Sequence, residues 1–205
     1  MKKILAIAAV LVYISTSSFI ATDPSILSKE ERKYAAGLLK ETKKYFLKNT
    51  KGLSDAQLDF KAAPEKWSIR QCMEHIALSE GFLGQMLEGI LKSPATPEKR
   101  SEIKITDEQI PVMLVDRTKK AQAPEPIQPK GNFKSIDDVI QQFTVARDKH
   151  IEYMKTTQDD MRNHCMPHPA FGMMDTYQWM LVVAAHSKRH TLQIEEVKAS
   201  PGFPQ

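Results

Sequence analysis

The chain has 205 residues, a length typical of one domain with a short appendage. Apolar residues make up 41% and charged residues 26%, the balance of an ordinary globular chain, which excludes wholesale disorder. The formal net charge is only +4, and no run of five or more Lys or Arg occurs, so we expect no nucleic-acid partner. The two cysteines, Cys72 and Cys165, are too few for a disulfide framework and lack the spacing of a structural zinc module.

The N-terminal residues have the order of a secretory signal. Two lysines follow Met1, then come eleven uncharged residues at 4–14, and then small polar residues at 15–18. We predict a signal peptide over residues 1–21 and export to the periplasm or the extracellular space, with no stable membrane insertion afterwards. The alternative is a retained anchor, because the 19 uncharged residues of 4–22 approach the length that spans a bilayer, although Ser and Thr dilute them.

Four amphipathic helices are predicted after this segment. Each shows apolar residues at spacings of three and four, which is the pattern of a helix with one buried face. Gly52 marks the end of the first helix. Ser68 with Gln71 three residues later is a capping box that opens the second, and Asp175 can cap the fourth. In chain order the predicted helices span about 28–50, 69–91, 135–157 and 175–198.

The connection between the second and third helices is long. Residues 93–134 hold six of the twelve prolines and leave room for one short helix near 107–120. Residues 158–172 contain Pro167 and Pro169 and are expected to be irregular, because we find no alternating strand pattern and no Asn-Gly hairpin. The prediction is therefore an all-α domain over about 28–201, a four-helix bundle with a long crossover between its second and third helices.

Three histidines are placed to face the interior of this bundle. His186 and His190 are four residues apart on the fourth helix, about one turn or ~6 Å along the axis, so both rings can reach one metal ion. On the second helix, His75 shares a stripe with Cys72 and Ser79 and is the natural third ligand. Three protein ligands leave positions for water or substrate, as catalytic metal sites require.

A metal-free interpretation also accounts for these histidines. A single His on an apolar stripe is more often a hydrogen-bonded core or rim residue than a ligand. The pair on one face favours a ligand role, because a shared cation satisfies both rings where a bundle core offers little else.

Other polar residues are expected to have structural roles. We expect Glu74 and Glu80 to be surface charges, since they project from other faces than His75, and Gln193 to border the site. The Cys72 thiol is expected to be buried packing rather than a nucleophile. His150 is placed on a solvated helix face, and His164 and His168 are placed in a proline-containing loop.

Two segments resemble a known family. They are LDFKAAPEKWS at 58–68, leading to His75, and HPAFGMMDTYQWMLVVAAHSKRHTLQIEEV at 168–197. Together they are similar to the DinB-like superfamily of metal-binding four-helix bundles. The resemblance implies that His75, His186 and His190 coordinate a divalent ion, commonly zinc or nickel. It also implies a homodimer in many relatives. Some relatives are thiol-dependent transferases or isomerases that use bacillithiol or mycothiol, while many have no assigned reaction.

Three functions remain open from the sequence. The first is an exported metal-dependent enzyme, a hydrolase or group transferase acting on an unknown small-molecule substrate. Its weak point is the lack of a carboxylate on the inward stripes that could serve as general base. The second is a non-catalytic metal-binding module, and the third is a metal-free helical interaction domain.

Overall fold

The computed structural model describes residues 26–118 and 122–205. The predicted signal peptide, residues 1–21, lies outside the described residues. The described chain is built from six α-helices and one two-stranded hairpin. In chain order these are α1 (Lys29–Thr50), α2 (Asp55–Asp59), α3 (Ile69–Lys92), α4 (Gln109–Val115), α5 (Ile136–Thr156), β1 (Cys165–His168), β2 (Gly172–Asp175) and α6 (Thr176–Lys198).

Each long helix begins at a side chain that caps it. The hydroxyl of Ser68 accepts a hydrogen bond from the backbone N–H of Gln71, whose side chain accepts one in return from the backbone of Ser68. Asp175 caps α6 in the same way with Gln178. Such caps contribute about 1 kcal/mol each by satisfying backbone donors that the first turn leaves free. The capping box at Ser68 and the cap at Asp175 are therefore confirmed.

The four long helices form a bundle. α1 lies against α5 and α6, and α3 lies against the same two helices, so the order around the bundle is α1, α6, α3, α5. Fully buried Leu39, Phe46 and Phe143 fill the centre, where the two phenylalanine rings meet edge to face with centroids 4.5 Å apart. The predicted all-α four-helix bundle is confirmed.

The long crossover between α3 and α5 covers one seam of the bundle. Its helix α4 packs on α6, and its 3₁₀ turn at Glu125–Ile127 packs on α3. Because α3 and α6 are neighbours, the crossover lies over the groove between them. The helix predicted near 107–120 is shorter in the structure, since α4 ends at Val115 and Asp116 is extended.

The expectation that residues 158–172 are irregular is wrong for part of this stretch. β1 and β2 pair antiparallel, with Cys165 opposite Asp175 and His168 opposite Gly172. Gly172 has φ +74°, a conformation that glycine adopts without strain, and it allows the chain to turn back. The sequence signal was weak because each strand has four residues, and β1 contains Pro167, which a two-stranded sheet tolerates on an outer edge.

A buried ion pair between Arg147 and Glu80 lies where all four long helices meet. Arg147 of α5 is fully buried and makes two hydrogen bonds, of 2.5 and 2.6 Å, to the carboxylate of Glu80 on α3. It also donates to the Leu39 carbonyl on α1 and to the Ser187 hydroxyl on α6. Glu80 is 2% exposed, so the expectation that it is a surface charge is wrong. Local sequence patterns do not reveal this pairing, because Arg147 lies 67 residues from Glu80 along the chain.

Candidate metal centre

The structure brings His75, His186 and His190 together at the seam between α3 and α6. One nitrogen from each ring lies within 4.8 Å of the other two, and these are the only described residues to form such a group of three potential ligands. The ring centroids are 4.4 to 5.0 Å apart. The predicted convergence of the two histidines of the fourth bundle helix with His75 is thus confirmed.

Hydrogen bonds fix the ring orientation and the tautomer of two of these histidines. His75 Nδ1 lies 2.7 Å from the Ile127 carbonyl, which can only accept, so Nδ1 carries the hydrogen. His190 Nδ1 lies 2.9 Å from Gln193 Oε1. That atom also accepts from the Arg117 guanidinium, which identifies it as the oxygen, so His190 Nδ1 is a donor too. In both neutral rings Nε2 is therefore unprotonated.

These two Nε2 atoms face each other at 3.2 Å. Burial lowers the pKa of His75. Burial and then the neighbouring imidazoles lower the pKa of His190 well below its ordinary value, and burial followed by His75 does the same for His186. The rings are consequently neutral at pH 7, and two lone pairs oppose each other across 3.2 Å. A cation is the group that such an arrangement accommodates, because neutral imidazole nitrogens are good ligands for divalent metals.

The crossover supplies the groups that hold these rings. Ile127 lies in its 3₁₀ turn at Glu125–Ile127, and Arg117 follows α4. Arg117 is itself held by two hydrogen bonds to Glu196, of 2.6 and 3.0 Å. The expected position of Gln193 at the border of the site is confirmed, but its link to Arg117 was not foreseen. Groups that fix the second nitrogen of a ligand histidine set its tautomer and orientation.

Glu74 anchors the crossover next to His75. Its carboxylate accepts hydrogen bonds from the backbone N–H groups of Lys130, Gly131 and Asn132 and from the Asn132 side chain, at 2.7 to 3.1 Å. Glu74 is 4% exposed, so the expectation of a surface charge is wrong. Adjacent residues of α3 thus bind the same loop, Glu74 through 130–132 and His75 through Ile127.

The ring of Trp67 borders the cluster, and the hydroxyl of Ser79 lies one helical turn from His75. The Trp67 ring lies 4.9 Å from the His75 ring and 6.0 Å from the His190 ring, centroid to centroid, and forms a wall of the site. Ser79 is one turn beyond His75 on the same face of α3. Its buried hydroxyl is the one buried side-chain N or O atom, among the described residues, that lacks a hydrogen-bond partner. Such a group is available to a polar ligand atom.

The Cys72 thiol is buried, and burial raises its pKa to about 12. It is therefore a protonated packing group at neutral pH, as expected, and it does not join the histidine cluster.

The remaining histidines lie elsewhere and have structural partners. His150 is 12% exposed and its Nδ1 lies 2.9 Å from Glu80, so its expected position on a solvated face is wrong. His164 Nδ1 lies 3.0 Å from the Ile90 carbonyl. His168 stacks on Phe171 with ring centroids 4.6 Å apart, at the hairpin. None of these three belongs to the group of converging ring nitrogens.

The fold and the site together define a class: a four-helix bundle in which a long crossover covers a cluster of three histidines on two adjacent helices. Residues 38–194 match the model of the DinB superfamily, and the chain belongs to this family.

Two relatives from Bacillus subtilis are similar to the chain. The uncharacterized protein YuaE is 28% identical over 148 residues, which are 72% of this chain and 87% of YuaE. The structure of YfiT, described as a probable metal-dependent hydrolase with an unusual four-helix bundle topology, superposes with a TM-score of 0.59. That match has 16% identity and covers 87% of this chain and 91% of YfiT, so it shows a shared fold.

Proposed function

We propose that the protein is an exported metal-dependent hydrolase in which His75, His186 and His190 hold one divalent ion, zinc or nickel. The observation that carries this proposal is the opposition of the His75 and His190 Nε2 lone pairs at 3.2 Å, with both Nδ1 atoms committed as donors. A proton on one Nε2 would relieve the opposition, but the lowered pKa values of both rings disfavour it near pH 7. A shared cation resolves it instead.

The donor set suits a catalytic ion better than a structural one. Three protein ligands leave coordination positions open, whereas closed structural zinc sites use four. An ion held in this way supplies Lewis-acid activation of water and of a substrate carbonyl or phosphoryl oxygen. The hydrolase assignment is supported by the fold shared with YfiT, which is described as a probable metal-dependent hydrolase. Group transfer at the same site is the related alternative.

Residues around the cluster would contact the substrate and orient the imidazole rings. The Trp67 ring offers an apolar wall beside His75 and His190. The unpartnered Ser79 hydroxyl, one turn away on α3, can donate to or accept from a polar atom of a small-molecule substrate. Ile127 and the Gln193–Arg117 pair keep the imidazoles in the ligand tautomer.

A non-catalytic metal-binding module is the second candidate, and one observation favours it. The two buried carboxylates nearest in sequence to His75 are already committed, Glu74 to the crossover backbone and Glu80 to Arg147. Neither is free to act as a general base, so proton transfer would depend on the ion and its water.

The metal site is tested by elemental analysis of the purified protein. The parent should carry about one equivalent of zinc or nickel, and the His186→Ala/His190→Ala variant should carry none. His168→Ala is the matched control, because that ring lies at the hairpin, and it should retain the metal. A parent that stays empty and gains no thermal stability when zinc or nickel is added contradicts the proposal.

Activity separates the two candidates. The loaded parent is screened against ester, amide and phosphoester substrates, with and without a chelator. Hydrolysis that is lost with chelation and restored by metal supports the enzyme. A loaded protein that is inert across the panel favours the binding module.

Export and assembly complete the proposal. Expression of the full chain, followed by N-terminal sequencing of the protein recovered outside the cytoplasm, tests cleavage near residues 17–21. Sedimentation of the recovered protein tests the expected homodimer. A full-length protein found only inside the cell contradicts export.

A further inference from the structure

A second notable surface lies on the α1 and α5 side of the bundle, away from α3. There an open groove of about 660 Å³ is lined by six lysines, one aspartate and two aliphatic residues. The lysines are Lys40, Lys43, Lys44, Lys48, Lys51 and Lys155. Six positive charges against one negative charge give a formal balance of +5 for the groove, which exceeds the +4 of the whole chain. The basic character of the protein is therefore concentrated here.

Two of these lysines are neutralised by neighbours. Lys43 is bound to Asp148 at 2.7 Å, and Lys155 to Glu152 at 2.7 Å. The other four, Lys40, Lys44, Lys48 and Lys51, are exposed and form no ion pair with any described residue. Lys40, Lys44 and Lys48 recur every four residues on one face of α1, over about 12 Å of helix, and Lys51 follows as the extended C-cap residue just beyond Thr50. We call these four lysines the lysine strip.

The side chains in the groove indicate the chemistry of the ligand. Lysine ammonium groups act as mobile point charges, and no arginine is present to recognise a single phosphate with two hydrogen bonds. The floor is formed by Leu47 and Ile151. No aromatic residue lines the groove, so it lacks the stacking platforms on which single-stranded nucleic acid is bound. Flexible cations above an aliphatic floor fit a broad, laterally mobile array of anionic headgroups.

The position of α1 in the chain points to the same ligand. The 19 uncharged residues of 4–22 end seven residues before α1 begins at Lys29. The predicted signal peptide is thus followed almost directly by the helix that carries three of the four lysines of the strip, an argument that rests on the proposed export. No helix in the described part of the chain has the length and apolar character needed to cross a bilayer.

We propose that the groove between α1 and α5 docks on the anionic headgroups of a lipid bilayer, with the lysine strip facing the membrane. The metal centre lies between α3 and α6, so the docked protein keeps it away from the lipid. Docking depends on charge and not on the metal.

The test is co-sedimentation of the exported protein, recovered without its predicted signal peptide, with vesicles of phosphatidylcholine alone or with 30% phosphatidylglycerol. The parent should bind the anionic vesicles and lose most of that binding at 0.5 M salt. Lys44→Gln/Lys48→Gln/Lys51→Gln should bind them about a hundredfold more weakly, because each lysine near an anionic surface contributes roughly a fivefold factor. Glutamine has nearly the helix propensity of lysine, so α1 is retained.

The matched control is Lys61→Gln/Lys66→Gln/Lys104→Gln, which removes the same charge from exposed lysines outside the groove. It should bind within about threefold of the parent. Equal losses in the two triple variants overturn the proposal, as does equal binding to neutral and anionic vesicles. Binding to soluble inorganic polyphosphate but not to vesicles, with the same lysine dependence, overturns the lipid assignment in favour of a free polyanion. Treatment with a chelator should change none of these results.

Discussion

The buried pair between Glu80 and Arg147 provides a stringent test of how the bundle is held together. Burial raises the pKa of Glu80, but the charge and hydrogen bonds of Arg147 outweigh it and hold the pKa below its ordinary value. Glu80→Gln keeps the shape and removes the charge, leaving Arg147, which is 0% exposed, without its counter-ion. Removing one partner of a buried pair costs about 3–5 kcal/mol, because the remaining charge stays desolvated.

Urea unfolding of the chelator-treated protein measures this cost. With a slope of about 2 kcal/mol per molar urea, a loss of 3–5 kcal/mol lowers the midpoint by roughly 1.5–2.5 M. The control is Asp148→Asn, which breaks the ion pair between Asp148 and Lys43. The Asp148 side chain is 56% exposed, so this pair lies at the surface. Exposed pairs contribute at most about 1 kcal/mol, so the control midpoint should move by 0.5 M or less.

A variant that removes both charges separates the cost of an unpaired buried charge from the cost of altered packing. Glu80→Leu/Arg147→Met should recover a large part of the loss, because apolar residues of similar volume often replace a buried pair without cost. If Glu80→Gln shifts the midpoint no more than Asp148→Asn does, the pair is not the buried junction that the structure describes and the reasoning fails.

Three further predictions concern the metal centre and the crossover. Gln193→Leu should weaken zinc or nickel affinity by about 10- to 100-fold, as measured in competition with a chromogenic chelator. The control, Gln141→Leu at an exposed position, should leave the affinity unchanged. Equal metal affinity of the parent and Gln193→Leu would show that Gln193 does not position His190. Glu74→Gln should lower stability by about 1–3 kcal/mol and speed amide exchange at 130–132, and unchanged exchange there would refute the anchor. The metal-free protein should lose stability as the pH falls below about 6.5, since the unfolded chain then takes up protons that the folded chain, with lowered histidine pKa values, does not. Each buried histidine contributes about 1.4 kcal/mol per pH unit to this loss of stability. A urea unfolding midpoint that does not change between pH 7.5 and 5.5 would contradict the lowered pKa values.

Local sequence information was sufficient for the four long helices and for the histidine cluster, but not for the short helix α2. The capping box at Ser68 is a contact between residues three positions apart, and it fixed the start of α3. His186 and His190 share a face because helical geometry places residues i and i+4 side by side. His75 required one more assumption, that its apolar stripe faces the stripe of α6, and in a bundle with few helices this assumption held.

Contacts between residues that are far apart along the chain could not be predicted from the sequence. Glu74 and Glu80 look like surface charges beside His75, yet their partners lie 56 to 70 residues further along the chain. Nothing in a helical pattern reveals whether a distant loop amide or a buried guanidinium will meet a carboxylate. The path of the crossover is equally long-range, and so are the roles of Ile127 and Arg117, because a backbone carbonyl carries no residue-specific signal.

The opposed imidazoles connect the stability of the protein to its proposed function. In the metal-free state, burial and the facing lone pairs make the cluster an unfavourable part of the fold, and the Ile127 and Gln193 hydrogen bonds prevent the rings from turning away. An ion that binds only the folded chain removes this repulsion and adds a stabilisation that grows with metal concentration. Because two of the three rings are held by the crossover or by a residue bound to it, tighter docking of the crossover must favour the ion. By linkage, the ion must favour docking of the crossover to the same extent.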